Sequence, residues 1–350
     1  MTPDSILRED RRRAQAAARD VGAARLRALL KRAQADLARR LREAEGLRGP
    51  GRESFTAVRA RVLLRQVEEV LRALQPGMRS LLLTQAGEIA DRRARDTVAY
   101  LRKAERLFTG SSAPLPIREA LVLDRATRGA EASALRRIAS DPEHPSRPGV
   151  LDRYSAATIG KFEQELQLRA LAGKPWAEVR DSLVEASPFL RGAPAHWAER
   201  IVRTEAMNAS NAASLEAMRE ADDQLGGGTL KILCAAFDSR TAADSYAVHG
   251  QVRRLSEPFN DWTHAYAHPP NRSNDREVVV PHRIDWPIPP GLRPRSDGEV
   301  AARWRAEGRK GSPPPRPKMS TIDFNAERRN AQRDRPASPS NGVGGARSSS

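Results

Sequence analysis

Apolar residues recur at steps of three and four between arginines near the start of the chain, and this spacing limits the fold more than any other feature. Leu26, Leu29, Leu30, Ala33, Leu37 and Leu41 fall on one helical face, which predicts an amphipathic helix from Asp10 to about Glu45. Gly46-Leu47-Arg48-Gly49-Pro50-Gly51 breaks it. A second pattern runs through Val58, Val62, Leu63, Val67, Val70, Leu71 and Leu74 to a Pro76-Gly77 stop, and a third helix is predicted from Met78 to Phe108. Aromatic residues make up only 5% and charged residues 30%, which favours amphipathic helices with thin cores over one large core. Residues 1–110 therefore read as an amphipathic helical region, suited either to a bundle or to packing between molecules.

Gly110-Ser111-Ser112-Ala113-Pro114 reads as a linker, and residues 140–149 as a stronger one, because Pro142, Pro145 and Pro148 remove donors and block helix continuation. Residues 111–150 are thus expected to be a linker with a short helix, with the main boundary at its end. Beyond it the pattern predicts a helix from Leu151 to Leu171, a Gly173-Lys174-Pro175 turn, a short helix from Trp176 and a longer one opened by Pro194. Gly226-Gly227-Gly228 ends that run. Leu230 to Phe237 reads as a buried strand and Val278-Val279-Val280 as another. The expected class is α+β, predominantly α-helical, with an α+β module over 151–285. From 286 to 350 the proline, arginine and serine content predicts a disordered basic tail, including Pro313-Pro314-Pro315-Arg316-Pro317.

The formal net charge of +16 draws such a chain toward polyanions, DNA among them. The one cysteine, Cys234, excludes an intramolecular disulfide and a multi-cysteine zinc site, and its place in an apolar strand makes it a core residue. Met1-Thr2-Pro3-Asp4 leads into Arg11-Arg12-Arg13 without an apolar stretch, so no secretory signal is expected. The densest apolar patch, Leu81-Leu82-Leu83, is flanked by Arg79 and Gln85 and is too short to span a bilayer; no membrane partner is expected.

On the helix after Pro194, Trp197, Ile201, Ala212 and Leu215 share a face with Thr204, Glu205 and Asn208, whereas Arg203 points nearly the opposite way. A carboxylate on an apolar face needs a partner, and Arg240 is the candidate for Glu205. Asp238-Ser239-Arg240-Thr241 follows a strand, where Asp and Ser side chains cap turns. Metal readings, with Asp238 beside His249 or with His264 and His268 spaced as on a helical face, are weaker, because Pro269-Pro270 follows at once. No phosphate loop, nucleophile elbow or His-Glu-x-x-His pair is present. No catalytic residue, metal or cofactor is expected.

Taken in order, Ile201-Val202-Arg203-Thr204-Glu205, Asp238-Ser239-Arg240-Thr241, His249-Gly250-Gln251-Val252, Pro258-Phe259 and Pro269-Pro270 through Pro281 resemble the module of phage Mu F-like head morphogenesis proteins, from about Ile159 to His282. Many relatives carry a further histidine where Ser245 stands, and cysteines where Asp275 and Glu277 flank Arg276; carboxylates there suggest ionic or turn-forming links instead. The resemblance implies a structural motif made of Arg203, Thr204, Glu205, Asn208, Asp238, Arg240, Thr241, His249, Gly250, Asn274, Asp275, Arg276 and Glu277. It further implies a minor head protein that joins the prohead, binds portal and major capsid or scaffold protein, contacts packaged DNA through non-specific electrostatics, and resides in the virion or prohead interior after assembly in the host cytoplasm. The rival reading is a DNA-processing or toxin-like hydrolase using Glu205, Asp238 and His249.

Overall fold

The computed structural model describes residues 9, 12–13, 23–46, 57–138, 150–171, 194–236, 241–270 and 276–324. Among the described residues, five long helices precede the sheet: α1 (Ala23–Gly46), α2 (Ala57–Thr109), α3 (Glu119–Ile138), α4 (Val150–Leu171) and α5 (Pro194–Leu225). Then come β1 (Thr229–Cys234), α6 (Ala243–Val248), β2 (Val252–Arg254), β3 (Phe259–Asn260), β4 (Ala265–Tyr266), β5 (Val278–Arg283) and α7 (Asp297–Ala306). The protein is α+β and mostly helical, as its sequence predicts.

The Leu26, Leu30 and Leu37 face of α1 is buried against α2, where Val67, Val70, Leu71 and Leu74 meet it. The expected stop at Pro76-Gly77 does not occur: α2 runs through Pro76 for 53 residues. Proline in a helix costs about 3 kcal/mol, because it lacks an N–H and crowds the preceding turn. Here Pro76 is exposed, as is Arg72 one turn earlier, so water reaches the carbonyl that loses its partner. Leu71 and Leu74 before it, and Met78 and Leu82 after it, lie in the same core and hold both halves on one axis.

Residues 111–150, where the sequence predicts a linker with a short helix, contain the 20-residue α3, which buries Val122, Ala126, Ala130, Ala134 and Ile138. Gly129 allows its close approach to α5, since a Cβ there would stand 2.2 Å from Glu216 Cγ. The core that α3 joins extends from Leu26 to Ile322. Residues 139–149, the expected boundary, lie outside the described residues, as do the Gly173 turn, the helix from Trp176 and Phe237.

Helix α5 is wrapped from several sides. Ala206, Ala209, Ala212, Ala213 and Ala217 leave room for α2 and α3 as well as β1 and β5. The single apolar face drawn on a wheel is thus too simple: Ile201 joins the main core, whereas Leu215 and Met218 join a second cluster with Leu233, Val248, Phe259 and Val279. The sheet has the order β2-β1-β5 and is antiparallel, with Ile232 opposite both Val252 and Val280. Side chains alternate along β1, sending Leu230, Ile232 and Cys234 to the main core and Leu233 to the second cluster.

The tail expected to begin at 286 is structured as far as Phe324. Trp286 is fully buried between Phe108 and His282, its rings 5.3 and 5.8 Å from theirs, and its indole N–H donates to Glu105 Oε2 at 2.9 Å. Leu292 and Val300 are also buried. Ser296 caps α7 by accepting from the Glu299 N–H while Glu299 accepts from the Ser296 N–H. Residues 325–350 lie outside the described residues.

Candidate functional site

The contact between α5 and the sheet is built mainly by Asn211, Ser214, Thr97 and Arg93, polar residues that the sequence reading passed over. Asn211, fully buried, donates from Nδ2 to the Glu277 carbonyl and accepts the Val279 N–H at Oδ1, both at 2.9 Å. Its amide thereby completes the backbone of β5, much as another strand would. The Val279 carbonyl accepts from Arg93 Nη2 at 3.0 Å and from Ser214 Oγ at 3.4 Å, and Ser214 Oγ lies 3.2 Å from Thr97 Oγ1. Asn208 Oδ1 accepts from Ser133 Oγ at 3.3 Å. Helix α5 therefore docks through hydrogen bonds as well as apolar contact.

Glu205 is buried, and its partner is Arg137, near the C-terminus of α3: Arg137 Nε and Nη2 donate to the two carboxylate oxygens at 3.2 and 3.3 Å. Arg137 Nη1 also reaches the Pro270 carbonyl at 3.4 Å. Arg240, the partner inferred from sequence, lies outside the described residues, together with Asp238, Asn274 and Asp275. The reason Arg137 escapes a sequence reading is its place 68 positions away, in a stretch read as linker. Thr204 is buried, Arg203 half-buried, Thr241 buried, Arg276 half-buried and Glu277 buried.

His249 and Gly250 tie β1 to the chain beyond the sheet. His249 is fully buried, and Nδ1 accepts the Ala235 N–H at 3.2 Å, which places the ring proton on Nε2, facing the Gly291 carbonyl at 3.1 Å. Gly250 donates its N–H to Leu233 at 2.8 Å with φ at +79°, and a Cβ there would lie 2.5 Å from the Leu292 carbonyl oxygen. Only glycine satisfies both the left-handed backbone and that approach. His264 and His268 stand on either side of β4, not on a helix; His264 is exposed and His268 half-buried. Burial, with Lys231, Arg137 and Arg136 nearby, pushes His268 down to about 4.

Besides Arg93, the buried cations Lys231 and Arg253 went unnoticed in the sequence. Lys231, on β1, donates Nζ to the Ala267 carbonyl at 2.8 Å and sits 4.8 Å from the centre of the Phe259 ring. Burial, then the guanidinium groups of Arg219 and Arg253, pushes it down to about 7, against the pull of Glu257. Arg253 donates to the carbonyls of Pro258, Val252, Met319 and Lys318, and burial lowers its pKa. For Lys231 the sequence signal was present, a basic residue inside the apolar Leu230–Phe237 pattern, whereas Arg253 beside Arg254 gave none.

In chemical terms, the arrangement holds backbone segments in place. The Glu205 carboxylate is engaged by a guanidinium and both His249 ring nitrogens face backbone groups. In comparisons with known proteins, no family model, curated protein or solved structure matches the chain.

Proposed function

We infer that this chain is a phage minor head protein that acts by binding, joining the prohead through portal and major capsid or scaffold protein and contacting packaged DNA by non-specific electrostatics. The observation that carries this reading is the use of the motif residues: Glu205, His249, Gly250 and the Glu277 backbone interlock α3, α5, β1, β5 and the segment near Leu292 into a stiff unit. Such a unit suits docking, because a partner that meets a preorganised surface loses less ordering entropy. The ordered resemblance of those motifs to Mu F-like modules and the charge of +16 support the same reading. No helix is long and apolar enough to cross a membrane among the described residues.

Co-expression with the portal and major capsid proteins of the same genome neighbourhood, followed by mass spectrometry of purified particles, tests it. Low-copy incorporation into proheads is the expected result; absence from particles, with the chain recovered alone, overturns it. DNA affinity should fall with salt at a log-log slope of about −0.9 per phosphate contacted.

A further inference from the structure

β2 is an edge of the three-stranded sheet, and an edge presents unpaired backbone groups that proteins cover. Here the cover is the chain's own C-terminal strap, residues 312–324. Ser320 forms a parallel bridge with Val252, and the Val252 N–H donates to the Met319 carbonyl at 2.8 Å. Arg253 donates to the Met319 and Lys318 carbonyls at 3.1 and 2.5 Å. Trp262, set edge-on to Trp304 at 5.4 Å, donates its indole N–H to the Pro315 carbonyl at 3.2 Å. An aromatic pair offering an N–H to a proline-rich segment is one recurring mode of peptide recognition, and strand addition to a sheet edge is another. The strap uses both. Beyond the edge, Thr321 Oγ1 donates to Glu257 Oε2 at 2.6 Å, and Ile322 and Phe324 pack on the core.

The strap is attached by few bonds beyond a hinge. Trp304 holds the preceding turn to α7, with its indole N–H donated to the Lys310 carbonyl at 3.3 Å and Arg309 4.6 Å from the ring centre. The first link past that tether is Gly311, which has φ of +73° and nothing within 4 Å of where a Cβ would stand. Most strap bonds run from side chains to backbone carbonyls, and the Arg316–Asp297 ion pair has an aspartate side chain that is 87% exposed, so it adds little. Seating the strap also buries the Arg253 guanidinium against the Met319 and Lys318 carbonyls, a desolvation cost that Glu257 offsets in part and release relieves. A released strap bares Ile322, Phe324 and the β2 edge, so it must reseat. Every copy of the chain carries both the strap and its groove.

We propose that the groove formed by Trp262, Trp304, Arg253 and the outer edge of β2 is a receptor for an extended proline-rich strand, and that it accepts residues 312–324 from a second copy of this chain by reciprocal exchange about Gly311. Exchange of identical elements gives a closed two-fold pair with the same contacts as the single chain.

The test uses full-length chains. One carries Glu257→Cys, a second Thr321→Cys, and a short bismaleimide joins the two positions only when the strap lies in the groove. Cys234 is buried, and the unsubstituted chain measures any background from it. The doubly substituted chain should cross-link within itself when dilute. A mixture of the two single variants should give covalent dimer whose fraction rises about tenfold for a tenfold rise in chain concentration, as exchange competing with a tethered strap requires. Thr321→Cys mixed with Arg305→Cys, an exposed position on α7, sets the collision background. Exchange overturned would appear as internal cross-linking of the double variant with no dimer from the mixture above that background. Failure of the double variant to cross-link would overturn the seating of the strap itself.

Discussion

The pairing of α1 with α2 and the docking of α5 on the sheet solve the same problem with different chemistry. In the first, Leu26, Leu30 and Leu37 meet Val67, Leu71 and Leu74, and apolar burial is the main tie, with the largely exposed Arg40–Glu69 ion pair at 3.0 Å beside it. In the second, Asn211, Ser214, Thr97 and Arg93 satisfy the backbone of β5 within the contact. Apolar burial is non-directional and accepts any side chain of suitable volume. A buried hydrogen bond is worth about 1 kcal/mol when made, yet leaving its partner unmet costs about 1–3 kcal/mol. The polar contact thus gains little over the apolar one in stability, and its benefit is a single allowed register.

The largest effect expected from that contrast lies at Gly250. Gly250→Ala places a Cβ against the Leu292 carbonyl on a left-handed backbone, and should cost about 4 kcal/mol, read as a lower midpoint in urea unfolding. Asn211→Leu keeps the volume but strands the Val279 N–H and the Glu277 carbonyl, and should cost about 3 kcal/mol in the same assay. A small loss there would erase the distinction between the two contacts.

Lys231 sharpens the comparison through pH. Its ammonium is pushed down to about 7 in the folded protein against 10.5 for the ordinary side chain. Between those values the unfolded chain binds the extra proton, so this group makes stability rise from pH 7 toward 10.5, and its cost is fully present below 7. Lys231→Met should remove that rise and stabilise the protein most at or below pH 7, as measured by unfolding across the range. The smallest effect belongs to the apolar pair: Leu30→Met should cost below about 1.5 kcal/mol in urea unfolding, since the volume is nearly unchanged.

Periodicity made the apolar contact legible, because each of its residues answers to its own neighbours three and four positions away. The proline in α2 misled for a related reason: sequence marks the missing N–H of Pro76 but not that the site faces water. Helix α3 was hidden by its composition, since Gly129 and the alanines that let it approach α5 give a weak signal. Of the polar contact with the sheet, Asn211, Ser214, Thr97 and Arg93 were not read, while the ion pair between α5 and α3 was half legible. A carboxylate at Glu205 on a buried face demanded a cation, but which cation depends on how α3 folds back. The region after Trp286 read as tail because its anchors are sparse: Leu292, Val300 and Ile322 stand many residues apart. Its one clear local sign was Ser296-Asp297-Gly298-Glu299, the spacing of a capping box.

The central claim is that the polar motif residues hold the fold, and His249 tests it most directly. Urea unfolding of His249→Ala should show a loss of about 2–4 kcal/mol, since the Ala235 N–H and the Gly291 carbonyl both lose a buried partner. An unfolding midpoint equal to that of the unsubstituted chain would contradict the claim and return His249 to the candidates for chemistry.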